Sequence, residues 1–163
     1  MSEISEAIQE KCLAFSDRII KLNDYLLEQA ACRMSEGRSR KYDGSKGKSA
    51  FGHQPSDFSR QPSRVPVHLQ SVAALANQLL RSGTSIGANN AEATNAVSKT
   101  DYRSKSYIAL KEARESLYWI ELLHRNNYID DKQYQSIYND CEELVKLLVH
   151  RCKKIDEQLR EDK

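Results

Sequence analysis

The sequence predicts an all-α protein: an antiparallel up-and-down four-helix bundle with a long flexible basic loop between helices 1 and 2. Three observations lead there. Apolar residues recur at three- and four-residue steps through most of the chain, the period of a helix with one buried face. Breakers are scarce, with 6 Gly and 3 Pro in 163 residues, and most of them crowd into one segment. No stretch shows the two-residue alternation of a half-buried strand, and no internal repeat is visible. The length predicts a single domain, residues 1–163, interrupted at about 33–66.

The first helix is predicted from Ile4, Ile8, Cys12, Phe15, Ile19, Leu22 and Leu26, one apolar stripe on a helix of about 27 residues. Residues 35–66 then hold all three prolines, four glycines and seven serines. Too few apolar side chains remain there to offset the entropy of ordering, so a flexible loop is expected. Pro66 suits a first helical turn and starts a second helix to about Val97. Its apolar face carries Leu69, Val72, Ala76, Leu79, Leu80, Gly83, Ile86, Gly87 and Val97. Two interior glycines four apart cost about 1 kcal/mol each, which implies close approach of another helix. Ser98 with Asp101 resembles a capping box and opens a third helix to about Asn126. Asp130 with Gln133 opens the fourth, striped by Tyr134, Ile137, Cys141, Leu144, Leu148, Cys152, Ile155 and Leu159.

Charge is informative only after partition. The chain has 25 Lys+Arg against 23 Asp+Glu, net +2. Residues 1–34 are net −2, residues 35–66 net +4, and residues 67–163 neutral. The positive charge of the loop comes from Arg38, Arg40, Lys41, Lys46, Lys48, Arg60 and Arg64. No apolar run approaches the roughly 20 residues that span a bilayer, so no membrane partner is expected. The start of the chain lacks a basic stretch followed by an apolar block, so a cytoplasmic protein with reduced thiols is expected.

Enzyme-like signals are weak. Gly47-Lys48-Ser49 resembles the end of a phosphate loop, but Tyr42 stands where a glycine is required. Glu121 and His124 have the spacing of a di-iron site without its second copy. Cys141 and Cys152 sit on an apolar stripe and read as core residues. No catalytic group, metal site or cofactor is expected.

The third helix carries three sectors. Tyr102, Ser106, Ala109, Ala113, Leu117 and Ile120 share the face expected to enter the bundle. Ile108, Glu112, Glu115, Trp119 and Leu122 form a second stripe, read as a subunit contact or as a partly exposed Trp covering the bundle edge. Arg103, Lys111 and Arg114 with Tyr107 and Tyr118 form a third sector. Basic groups neutralise phosphates and rings stack on bases, so this suits RNA or DNA; an ordinary solvated face looks the same. The second helix has a polar stripe, Gln78, Arg81, Ser82, Ser85, Asn89 and Glu92, facing solvent or a subunit boundary where Arg81 meets Glu112 or Glu115 of a neighbour.

Two stretches resemble a known family. Gln78-Leu-Leu-Arg-Ser-Gly-Thr-Ser-Ile-Gly-Ala-Asn89 with Glu92-Ala93, and Tyr107-Ile-Ala-Leu-Lys-Glu-Ala-Arg-Glu115 with Tyr118-Trp119, are similar to the bacterial four helix bundle proteins, also called 23S rRNA intervening-sequence proteins. The likeness covers about residues 8–32 and 67–155. The relatives include accessory variability proteins of diversity-generating retroelements, and the resemblance implies a non-enzymatic homopentamer that binds nucleic acid and a reverse transcriptase. The chain departs from the family in its 33–66 segment and in bundle pieces that sum to −2, where the retroelement proteins are strongly positive. The competing expectation is a module that displays its basic loop to a partner protein without touching nucleic acid.

Overall fold

The structure, a computed structural model, describes residues 3–39 and 67–161. Four helices account for them: α1 (Glu3–Ser39), α2 (Val67–Thr94), α3 (Lys99–Arg125) and α4 (Asp131–Glu161). No strand occurs among the described residues. α1 packs on α2 and α4, and α3 packs on α2 and α4, while the diagonal pairs α1/α3 and α2/α4 have no backbone contact. Every neighbouring pair runs antiparallel, as expected of an up-and-down bundle. No helix among the described residues is long and apolar enough to cross a membrane.

Most residues of the predicted stripes form the core, while on α3 Tyr102 and Leu117 are only half-buried and Leu110 and Leu123 enter the core instead. Ile8, Cys12, Phe15, Ile19 and Leu26 of α1 meet Val72, Ala76, Leu79 and Ile86 of α2; Ala109, Ala113 and Ile120 of α3 and Ile137, Cys141, Leu144, Leu148, Cys152 and Ile155 of α4 close the other side. Burying each large apolar side chain contributes about 1.5–3 kcal/mol, which outweighs the weak helix propensity of the β-branched residues among them. The α1–α2 approach has the cause expected from its glycines. A Cβ on Gly83 would stand 3.0 Å from Ile19 Cγ1, and one on Gly87 would stand 3.4 Å from Cys12 Cβ. At Gly83 even a methyl group would displace the facing isoleucine.

Two boundaries differ from expectation. α1 reaches Ser39, so residues 33–39 are helical and not part of a loop. The Gln29–Met34 run contains good helix formers, and nothing before Gly37 breaks it. α2 stops at Thr94, short of Val97, which is 94% exposed and takes no part in the apolar face. The Asn95 and Ala96 amides donate to the Glu92 and Ala93 carbonyls in a tightened last turn. Ser98 must then be extended to cap α3, which it does at φ −154°, ψ 162°.

Both expected caps form. The Ser98 hydroxyl accepts from the Asp101 amide at 3.1 Å, and the Asp101 carboxylate accepts from the Val97 amide at 3.2 Å. Asp130 and Gln133 exchange both hydrogen bonds, at 2.7 and 3.0 Å, as a full capping box. Between α3 and α4, Asn127 takes φ 57°, a left-handed conformation that asparagine tolerates after a helix.

Candidate functional site

The basic and aromatic sector of α3 divides in two. In its first half, Arg103 Nε donates to Asp156 Oδ1 at 2.5 Å and the Tyr107 hydroxyl donates to Asp156 Oδ2 at 2.6 Å. The Arg103 guanidinium also lies 4.8 Å from the centre of the Tyr107 ring. Hydrogen bonds from Arg103 and then Tyr107 hold the Asp156 carboxyl below its usual range, and the same bond pushes the Tyr107 phenol up. These two candidates for phosphate contact are therefore joined to α4 by a carboxylate.

The second half is open. Lys111 and Arg114 are exposed, and no ion pair among the described residues engages either. Tyr118, at i+7 from Lys111, is 57% exposed and meets Trp119 edge-on with centroids 4.9 Å apart. Of the loop candidates, Arg40, Lys41, Lys46 and Lys48 lie outside the described residues. Arg38 is described only as backbone in the last turn of α1.

The candidate contact stripe on α3 is half-buried at Ile108, Glu112, Trp119 and Leu122 and exposed at Glu115. Trp119 packs against the core, and its indole N–H donates to Glu115 Oε1 at 3.0 Å. Burial, followed by the charge of Glu115, pushes the Glu112 carboxyl up, while Lys111 and Arg81 oppose that shift. Arg81 thus already acts on Glu112 of its own chain. The polar stripe of α2 is not uniformly outward either. Ser82 is buried, 2.9 Å from the buried Ser116 hydroxyl of α3. The hydrogen bond between the two hydroxyls offsets the cost of burying them at the helix seam.

The α3–α4 seam carries the same polar arrangement near each end. Glu121 accepts from Arg125 Nε and from the Tyr134 hydroxyl, each at 2.7 Å, much as Asp156 accepts from Arg103 and Tyr107. Hydrogen bonds from Tyr134 and Arg125 hold the Glu121 carboxyl low, and the bond to Glu121 pushes the Tyr134 phenol to about 12. His124 stacks on Tyr134 with centroids 4.1 Å apart and lies 2.7 Å from an Asp131 oxygen. Glu121 and His124 therefore have partners of their own within the seam. Among the described residues no cluster of His, Cys, Asp and Glu could hold a metal ion. Burial raises the Cys12 and Cys141 thiols to about 11 and 12, which makes them poor nucleophiles.

Two features escaped the sequence reading. Arg151 is buried to 7% exposure; its Nη1 donates to the Asn90 side-chain oxygen, and the Asn90 amide donates to Gln9 Oε1. The signal was a polar residue standing on an apolar ladder: Leu144, Leu148, Arg151, Ile155 in α4, and Leu79, Gly83, Ile86, Asn90, Ala93 in α2. The second feature is Leu13, Ile20 and Leu27 of α1, exposed to 58%, 44% and 38%. They repeat every seven residues on the side of α1 away from the core.

Comparison with known proteins follows this architecture. The family model of the 23S rRNA-intervening sequence protein matches residues 66–150, more than half of the chain. The chain belongs to this family. A similar solved structure is the crystal structure of a protein of unknown function from the S23 ribosomal protein family of Bacteroides thetaiotaomicron VPI-5482. It is 33% identical, with a TM-score of 0.64 over 92% of this chain and 98% of the other. No curated protein matches. Within the intervening-sequence family model fall α2, α3 and most of α4, hence the whole of the outward face of α3.

Proposed function

We propose that this intervening-sequence protein is a non-catalytic, pentameric bundle that serves as an accessory to nucleic acid, within a ribonucleoprotein that includes a reverse transcriptase. The observation that carries the nucleic-acid part is the Lys111, Arg114 and Tyr118 run: two exposed cations that no ion pair among the described residues engages, beside an exposed ring on one helix face. Phosphate neutralisation and base stacking need that pairing. The Arg103–Tyr107 half adds to it only if Asp156 gives way.

Self-association rests on two apolar stripes. Because α1 and α3 are diagonal in the bundle, their outward faces point in opposite directions. Leu13, Ile20 and Leu27 on one side and Ile108, Trp119 and Leu122 on the other are different surfaces. Contact between different surfaces of successive copies is head-to-tail, the kind that closes into a ring.

The test is fluorescence anisotropy of a labelled single-stranded RNA between 50 and 200 mM salt. Phosphate contacts predict a steep loss of affinity with salt, and Lys111→Ala with Arg114→Ala should lower the slope of log K against log salt by roughly 1.4. A slope unchanged by the double variant, or no binding at low salt, would refute the nucleic-acid role. For assembly, Leu13→Glu with Ile20→Glu should convert the oligomer to a smaller species by light scattering, and an unchanged mass would exclude that face.

A second reading is favoured by the Asp156 bridge, which halves the phosphate face: a module that presents residues 35–66 to a partner protein. Deleting 35–66 separates the two, because RNA binding through α3 survives the deletion and capture of a loop-dependent protein does not.

A further inference from the structure

At the end of the bundle where α1 begins and α4 ends lies a cavity of about 220 Å³. Ile8, Leu147 and Ile155 give it apolar walls, and Tyr102 of α3 closes one side. Three cationic or cation-capable side chains from α4 line it: His150, Arg151 and Lys154. Ser5 and Gln158 add neutral polar groups, and no carboxylate belongs to the lining among the described residues.

Arg151 is the unusual member. A guanidinium more than nine-tenths buried normally sits against a carboxylate, because withdrawing it from water without a counter-charge is costly. Among the described residues its one hydrogen-bond acceptor is the neutral Asn90 side chain, and Nη2 has none. The Tyr102 ring, 5.8 Å from Cζ, offers a cation–π contact that does not fill that vacancy. By contrast, cations that do reach a carboxylate on these helices are more exposed, among them Lys11 with Glu143, Arg18 with Asp140 and Arg103 with Asp156. Several exposed cations thus have a carboxylate, while the most buried one has no anion among the described residues and stands at the wall of a cavity with two further basic side chains.

We infer that this cavity is a binding site for a small phosphomonoester with an apolar or aromatic body. The phosphate supplies the missing counter-charge to Arg151, with Lys154 and His150 at its other oxygens, and the body rests on Ile8, Leu147 and Ile155. A dianion matches a wall of several cations better than a single carboxylate does, and guanidinium is the side chain suited to phosphate. Size agrees: an apolar cavity of about 150 Å³ holds benzene, so the larger volume takes a phenyl-sized body and part of its headgroup. This site is separate from Lys111, Arg114 and Tyr118, and it stands whether or not the protein binds RNA.

Thermal unfolding of the full chain at matched ionic strength, with phenyl phosphate, inorganic phosphate or phenol, tests it. Phenyl phosphate at ten times its Kd should raise Tm by about 3–6 °C, with a smaller rise for inorganic phosphate and none for phenol at the same concentration. Arg151→Met should weaken phenyl phosphate on the order of 10- to 100-fold by isothermal calorimetry, and Lys154→Ala by less. Should Arg151→Met fail to fold, the exposed pair His150→Ala and Lys154→Ala carries the same test. Lys111→Ala with Arg114→Ala should leave phenyl phosphate affinity unchanged, even if it abolishes RNA binding. No shift at 10 mM phenyl phosphate, or equal affinity in the cavity variants, overturns the site.

Discussion

The two ends of the bundle are built by opposite rules. At the α3–α4 turn nearly every local preference is satisfied. Ile129 is 3% exposed and plugs the core, Asn127 supplies the left-handed turn, the Tyr128 amide donates to the Leu123 carbonyl at 3.0 Å, and Asp130 and Gln133 cap each other. At the other end the α2–α3 link leaves Val97 almost wholly exposed, and a guanidinium is buried beside a cavity with a neutral amide as its hydrogen-bond acceptor among the described residues. Agreement across local rules marks the end that specifies the fold, and the breach of two such rules marks the end with something else to do.

The largest effect should come from the end that breaks the rules. Asn90→Leu removes the acceptor of Arg151 and leaves a buried cation with no hydrogen-bond partner in the described helices, a change worth about 3–5 kcal/mol by chemical denaturation. Adding Arg151→Met should recover most of that loss, since an apolar pair of similar volume replaces the charge. If the double variant is no more stable than Asn90→Leu, the cost lies in packing around α2 and not in the charge.

At the well-capped end, Ile129→Ala should cost about 2–4 kcal/mol, the loss expected when a buried isoleucine is truncated and the site relaxes only in part. The comparison sharpens if m-values are followed. Ile129→Ala should leave m unchanged, as for a simple loss of stability. A fall in m would mean that the turn unfolds ahead of the rest of the bundle.

How much of this was legible in the residues depends on what kind of signal each position sends. Apolar ladders such as Ile137, Cys141, Leu144 and Leu148 announce themselves by period alone, and so the four helices and most of the core could be read directly. Caps were legible because Asp130 and Gln133 act over three residues. The end of α2 was not, because Val97 matches an apolar pattern while the extended conformation of Ser98 rules out a helix there. Arg103 and Tyr107 looked like a phosphate surface because helix geometry says which residues share a face and nothing about Asp156, some fifty residues away. Arg151 was hidden for the opposite reason: its position on the ladder was visible, but a lone cation on an apolar stripe is usually read as the edge of the face. Family likeness did not supply these details, since it resides in α2 and α3 motifs and not in the C-terminal turns of α4.

The smallest effect compares the two carboxylates that clasp the α3–α4 seam. Hydrogen bonds from an arginine and a tyrosine hold both Asp156 and Glu121 below their ordinary range. A carboxyl with a depressed folded pKa stabilises the fold above its unfolded pKa of about 4, and that contribution disappears as pH falls through the folded value. Asp156→Asn and Glu121→Gln should therefore each lower Tm slightly at pH 7, and each gap to the parent should close between about pH 5 and pH 2. Exposure and salt screening keep both effects modest. Their difference is the informative part. Asp156 alone ties up Arg103 and Tyr107, so only its replacement should strengthen RNA binding at low salt, while Glu121→Gln should leave it unchanged. Equal RNA affinity in both variants would show that the Arg103–Tyr107 half of the face plays no part in phosphate contact, and would confine the nucleic-acid surface to Lys111, Arg114 and Tyr118.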